Sequence, residues 1–271
     1  MTMALNYPAH RTLLQLLLEL RFATTDQLAR LTAGEYGSRR SAVRQTTRHL
    51  TTLENRGLLL HLERRVGGWQ GGSAPTIWAL TTSGHRAITE QGGGRQRPQL
   101  ISTTFLEHLL AIAESRIVAV ETVRTIPGAG LTVHTEPACW RGYLGPHGQT
   151  LTLRPDLHLI VGASTYTDSY FVEVDRATEN PARVIATCWQ YVQYRRTGAE
   201  QKAHGVFPAV LWIVPTEKRR EQLRQHISTA ELPASMFHVL TLTDLPDIIR
   251  DGPPLTPQNN YTRKGEQPHG K

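Results

Sequence analysis

Residues 169–180, SYFVEVDRATEN, decide how the second half of this chain is read. An apolar run enters Glu173, Asp175 follows two positions later, and Arg176 stands directly behind. Side chains alternate along a strand, so Glu173 and Asp175 project to one face while Arg176 points to the other. Upstream, residues 151–161, LTLRPDLHLIV, alternate around Pro155 and read as a preceding strand with Asp156 at its head. A hairpin joining the two strands brings Asp156, Glu173 and Asp175 to one point. Three carboxylates repel unless a cation or a proton offsets them. Hard oxygen ligands suit Mg2+ or Mn2+, the ions that phosphodiester cleavage uses. The plainer alternative is a polar sheet rim, with each acid at a strand end in water.

The flanking pattern is that of an α/β domain with a mixed sheet. A helix over 102–123 turns Phe105, Leu109, Ile112 and Val120 to its core side. Strands follow at 131–136, 151–161 and 169–174, then a helix at 182–196, a strand at 209–214, a helix at 217–227 and a strand at 237–242. On the helix after Glu173, Gln190 and Tyr194 lie one turn apart on the same side. Tyr191 and Trp189 read as packing residues. Arg176 and Glu179 pair with each other or cap that helix. Residues 252–271, rich in Pro and Asn, read as a disordered tail.

The first hundred residues have a different character. They hold 13 arginines, no lysine and six acids, so the whole formal charge of +7 falls there and the remainder of the chain is balanced. Such asymmetry points to a polyanion partner, and arginine favours geometric recognition of phosphate or guanine. Three helical patterns come first, over 11–22, 24–32 and 38–57. The second opens at Thr24 or Thr25, and the third starts near Ser38 or Ser41 and ends at Gly57. Ala42, Val43, Thr46, Leu50 and Leu53 gather on one side of the third helix. Arg44, Gln45, Arg48, Thr52 and Asn55 gather on the other, with Arg39 and Arg40 at its start, and these are donors suited to base edges and phosphates. Residues 58–65 and 76–81 read as a two-stranded ribbon around a glycine-rich loop carrying Arg64, Arg65 and Trp69. Three helices and a basic ribbon make a winged helix-turn-helix, with the third helix in the major groove and the wing on the backbone. The Gly-, Arg- and Pro-rich residues 90–99 read as a linker. The expected organisation is therefore a winged helix over 1–92, a linker over 93–101, an α/β domain over 102–251 and the tail.

Several classes are set aside. No run of apolar residues is long enough for a membrane helix, and no signal-peptide pattern opens the chain. Cys139 and Cys188 are far apart with no CxxC partner, which excludes a zinc ribbon and fits a reducing cytoplasm. There is no Walker-type phosphate loop, no histidine pair of metal-ligand spacing and no serine nucleophile turn.

The RPD at 154–156, the EVD at 173–175 and the surrounding αβββαβ order resemble the PD-(D/E)xK nuclease superfamily. The resemblance implies a restriction-endonuclease-like fold, with Asp156 and Glu173 as the first two acids. It also implies Gln190 and Tyr194 as a Q-x-x-x-Y element, and Glu107 or Glu114 as an acid from the first helix. The superfamily's lysine position holds Asp175, and no lysine occurs before Lys202. The basic winged helix, the linker, His108, the RPD and the string EVDRATE at 173–179 are together similar to the replication-relaxation family of plasmids and mobile elements. That resemblance spans residues 10–245. It implies a function in replication or relaxation. The expected partners are double-stranded DNA, a second copy of the chain as a homodimer, and plasmid replication or mobilisation proteins. A winged-helix transcriptional regulator and a metal-dependent endonuclease are the alternatives.

Overall fold

The computed structural model describes residues 7–62, 75–89, 102–163 and 166–253. Arg64, Arg65, Trp69, the linker and residues 254–271 of the expected tail lie outside the described residues. The chain divides into two compact units, Met1–Ile117 and Val118–Lys271.

In the first unit, α1 (Pro8–Leu20) buries Leu13, Leu14, Leu17 and Leu20 at helical spacing. A capping box starts α2 (Thr25–Leu31): the Thr24 hydroxyl accepts from the Gln27 N–H at 3.2 Å, and Gln27 Oε1 accepts from the Thr24 N–H at 3.1 Å. Ser38 caps α3 (Arg39–Asn55) by accepting from the Ser41 N–H. Ala42, Thr46, Leu50 and Leu53 form the buried stripe of α3, and Val43 is only half-buried. The chain leaves α3 through Gly57 at φ +69°, a left-handed turn that glycine adopts without strain.

The expected ribbon is present as β2 (Leu59–Leu62) and β3 (Ile77–Leu80), paired antiparallel. A two-residue strand not foreseen from the sequence, β1 (Ala23–Thr24), pairs with the other edge of β3. The short helix α4 (Thr82–Ile88) closes this part with Thr81 as its cap.

The helix α5 (Thr103–Val123) carries the chain from the first unit into the second. Its first turns bury Leu106, Leu109, Ala113 and Ile117. Phe105, expected in the core, is 39% exposed and lies under the Arg21 guanidinium.

The second unit is built on a mixed five-stranded sheet in the order β10-β9-β8-β7-β4. The strands are β4 (Gly130–Thr135), β7 (Leu157–Gly162), β8 (Thr167–Val174), β9 (Ala209–Val214) and β10 (Phe237–Thr241). The pairs β4·β7 and β7·β8 are antiparallel, whereas β8·β9 and β9·β10 are parallel. Every residue of β9 is buried, as a central parallel strand requires. Phe171, Trp212, Val214 and Val239 join α6 (Pro181–Arg196) and α8 (Glu217–Thr229) in one hydrophobic core. On the opposite side of β8, the Tyr170 hydroxyl donates to the Ile248 carbonyl of α9 (Leu245–Asp251).

The single strand expected over 151–161 is two. The first piece, β6 (Thr150–Leu153), pairs with β5 (Arg141–Leu144) in a separate hairpin, while β7 joins the main sheet. Pro155 separates them, because it has no N–H to continue a ladder. A short helix α7 (Ala199–His204) also follows α6 without a clear sequence signal. Among the described residues, no helix is long and apolar enough to cross a membrane.

Gly84 of α4 marks the tightest approach of backbone in the first unit. A Cβ there would lie 2.0 Å from the Leu58 carbonyl oxygen, which also accepts from the Thr81 N–H and hydroxyl. Gly84→Ala should therefore cost about 1–3 kcal/mol through overpacking. Thermal unfolding checks this, and an unchanged Tm would rule out the close approach.

Candidate functional site

Asp156 immediately precedes β7 and is buried. Its N–H donates to the Val172 carbonyl at 3.0 Å, and its Oδ2 accepts from the Val174 N–H at 2.7 Å. Leu157 pairs with Val172, so Asp156 stands opposite Glu173 in the antiparallel ladder. The structure thus brings Asp156 and Glu173 together, as expected from the sequence.

The third acid goes elsewhere. Asp175 continues the strand, its N–H donating to the Ile213 carbonyl at 2.9 Å, but its carboxylate is taken by Arg219 of α8. The contact is bidentate, Nε to Oδ2 at 2.6 Å and Nη2 to Oδ1 at 3.1 Å, and both side chains are buried. Arg219 also donates to the Glu179 carbonyl at 2.8 Å and to Gln222 Oε1 at 3.0 Å. Asp175 therefore ties the β8–α6 connection to the start of α8. Among the described residues, no group of three or more His, Cys, Asp or Glu has the arrangement to hold a metal ion. Asp156 and Glu173 stand together as two carboxylates rather than three. Mg2+ is commonly held by one or two carboxylates with water completing its octahedron.

Glu173 receives a hydrogen bond from a residue the sequence assigned to packing. The hydroxyl of fully buried Tyr191 donates to Glu173 Oε1 at 2.6 Å. Burial raises the Glu173 pKa well above the usual carboxylate range, and the neighbouring Asp156 charge raises it further. The Tyr191 bond opposes that rise, while Glu179 and Glu136 add to it.

Tyr194, one turn further on, is buried and donates to Glu200 Oε1 at 2.9 Å instead. Glu200 is itself buried and pairs with Arg141, Nε to Oε1 at 2.5 Å. Arg141 Nη2 lies 2.9 Å from His158 Nδ1, and His158 Nε2 lies 2.8 Å from the Ser169 hydroxyl. Burial and the Arg141 charge push the His158 pKa down to about 4, so the ring is neutral at pH 7. Arg141 can only donate, so Nδ1 accepts and Nε2–H donates to Ser169. That tautomer gives Ser169 no base. Gln190 is exposed on the outer side of α6. Glu114 is occupied in the first unit, paired with Arg30 and accepting from Gln27 Nε2. Glu107 and His108 are half-exposed on α5.

In the first unit, Arg40, Arg44 and Arg48 are exposed on α3 at four-residue spacing. They have no carboxylate partner among the described residues. Thr47, Thr51 and Asn55 continue the same outward line, and the two threonines were missed from the sequence. Arg39 pairs with Asp26 at 3.1 Å, both exposed. Gln45 and Thr52 are half-buried, and the Thr52 hydroxyl is spent on the Arg48 carbonyl at 2.8 Å.

Asp175→Asn leaves Arg219 buried without a counter-charge and should cost about 3–5 kcal/mol. Urea unfolding measures it, and a loss below 1 kcal/mol would remove the lock. Glu173 binds its proton more tightly folded than unfolded. Stability should therefore fall as pH rises from the unfolded carboxyl pKa, roughly 4.3, toward the raised folded value. Glu173→Gln should abolish that slope and unfold at higher denaturant than wild type at pH 7. Tyr191→Phe should raise the Glu173 pKa further, as followed by carboxyl carbon NMR.

The chain matches no curated protein and no solved structure. The family model described as replication-relaxation matches residues 14–210, which run from α1 to the second residue of β9. The match takes in the α3 arginines, Asp156, Glu173 and Tyr191, and by it the chain belongs to the replication-relaxation family.

Proposed function

We propose that this protein binds double-stranded DNA in the replication of a plasmid or mobile element. The first unit acts as a winged helix-turn-helix, and the second, of restriction-endonuclease-like type, engages the phosphodiester backbone at Asp156 and Glu173. The observation that carries DNA binding is the line of three exposed arginines on α3, with no carboxylate spent on them among the described residues. Four-residue spacing sets the three guanidinium groups on one side of the helix, as backbone and base-edge contact requires. Three helices followed by an antiparallel ribbon supply the scaffold on which such a helix enters the major groove. The family's replication setting agrees with that partner.

For the second unit, the paired carboxylates support a site for a divalent ion shared with a DNA phosphate. When bound, Mg2+ or Mn2+ would neutralise phosphate charge and activate a water. Asp156 and Glu173 would hold it, and Tyr191 would orient Glu173. The superfamily's lysine position holds Asp175, whose carboxylate is committed to Arg219. This favours a DNA-holding second unit over a lysine-assisted endonuclease.

Titrating labelled duplex DNA at several salt concentrations tests the proposal. Wild type should bind with a steep salt dependence. The double substitution Arg44→Gln and Arg48→Gln should lower the slope of log K against log salt by about 1.8, two phosphate contacts at ~0.9 each. A flat response in wild type would remove DNA binding. Supercoiled plasmid incubated with Mg2+ or Mn2+ separates the two readings of the second unit. Nicked circles from wild type, lost in Asp156→Asn, would identify an endonuclease. Intact supercoils with normal binding are the expected result.

A further inference from the structure

An acid pair by itself repels a phosphodiester, so a backbone site built on Asp156 and Glu173 needs a cation nearby that is not already neutralised. Arg219 and Arg141 do not serve, because each is committed to a buried carboxylate, Asp175 and Glu200 respectively. Arg154, two residues before Asp156, is different. It is exposed, and it makes no hydrogen bond or ion pair among the described residues. Its guanidinium instead lies over the ring of Trp140, 4.8 Å from the centroid.

The backbone around this stack is fixed from several directions. Pro155 locks φ directly after Arg154. Asp156, next in line, is bonded to both Val172 and Val174 of β8. Buried Cys139, the neighbour of Trp140, has its Sγ 2.9 Å from the Pro155 carbonyl, which holds the turn carrying Trp140 against the Arg154–Asp156 segment. A planar guanidinium resting on an aromatic face has lost much of its rotational freedom while its N–H edges remain open. That arrangement suits bidentate capture of phosphate oxygens.

We propose that Arg154, held on Trp140, is the phosphate anchor of the acid pair and takes a backbone phosphate of bound DNA. It rests on the DNA-binding function proposed above and adds to it a specific contact in the second unit. Arg154 and Trp140 would set where the strand lies relative to Asp156 and Glu173. The contact is to phosphate and carries no base preference.

The experiment uses the full chain and labelled duplexes of two unrelated sequences, titrated over a range of salt. Arg154→Gln should weaken binding about tenfold on both duplexes, the value of one charge-assisted hydrogen-bonded contact. It should also lower the salt slope by about 0.9, one counterion contact. Arg154→Lys should keep the wild-type slope, since the charge remains, while binding more weakly because the planar fork is gone. Trp140→Phe should bind like wild type, whereas Trp140→Ala should lose affinity without a change of slope. A steep wild-type slope that Arg154→Gln leaves unchanged would overturn the anchor alone and leave the α3 contact standing. A flat wild-type response would overturn both. Circular dichroism checks folding. If Arg154→Gln and Arg154→Met both fail to fold, the stack is structural and the anchor is overturned.

Discussion

The two hydrogen bonds that fasten Asp156 to β8 organise the second unit. One runs from its N–H to the Val172 carbonyl, the other from the Val174 N–H to its carboxylate. They extend the β7·β8 ladder past the end of β7 and hold Asp156 opposite Glu173. Two carboxyl groups placed together in a partly buried position work against folding. Burial and the like charge both lift the Glu173 pKa, and only the Tyr191 hydroxyl offsets them directly. Perturbed carboxyls of this kind concentrate at functional sites, where a ligand or a proton makes use of the repulsion. Glu173 differs in this from Asp175 and Glu200, two other acids of the second unit, which are paired with arginines.

That contrast is visible in one region of the second unit. Tyr191 and Tyr194 stand close together on α6, and each donates a hydroxyl hydrogen bond to a carboxylate. Glu200, the acceptor of Tyr194, is neutralised by Arg141, which also holds His158 in a single tautomer. Asp175 is neutralised by Arg219. In both, a buried carboxylate is matched by an arginine. Glu173 has a hydrogen-bond donor and no ion pair among the described residues, and the charges that act on it are those of acids. The same region of the second unit therefore holds two structural ion pairs and, beside them, two carboxyl groups set opposite one another.

The first unit solves the opposite electrostatic problem. Its arginines outnumber its acids, and some are used internally: Arg30 on Glu114, Arg116 on Glu19 and Arg39 on Asp26. Part of the residual positive charge lies on the outer side of α3, a helix held from behind by Ala42, Thr46, Leu50 and Leu53. A helix anchored by one apolar stripe keeps its outward arginines in register, so their spacing is fixed before any partner arrives. The cost of aligning like charges is small in water and is screened by salt, which is why such a face is tolerated on an exposed helix.

Local physics was legible in the residues. The caps at Thr24 and Ser38, the left-handed exit at Gly57, the ribbon of β2 and β3, the arginine line on α3 and the opposition of Asp156 to Glu173 each depend on neighbours within one helix or one strand pair. Period and turn chemistry suffice to find these features. What the sequence alone did not decide lies at longer range. Asp175 has the same strand face as Glu173, but its carboxylate went to Arg219, 44 residues later on another helix. Tyr191 and not Tyr194 reached Glu173, because the rotation of α6 on the sheet selects between neighbouring tyrosines, and periodicity places both near the buried side. Pro155 split one alternating segment between two sheets, a choice made by which partner strand was available on each side of it. The sequence determined which side chains were offered to each face. Only the packing of helices on the sheet decided which charges met, because a buried ion takes the counter-charge that tertiary structure brings within reach, however far away it lies along the chain.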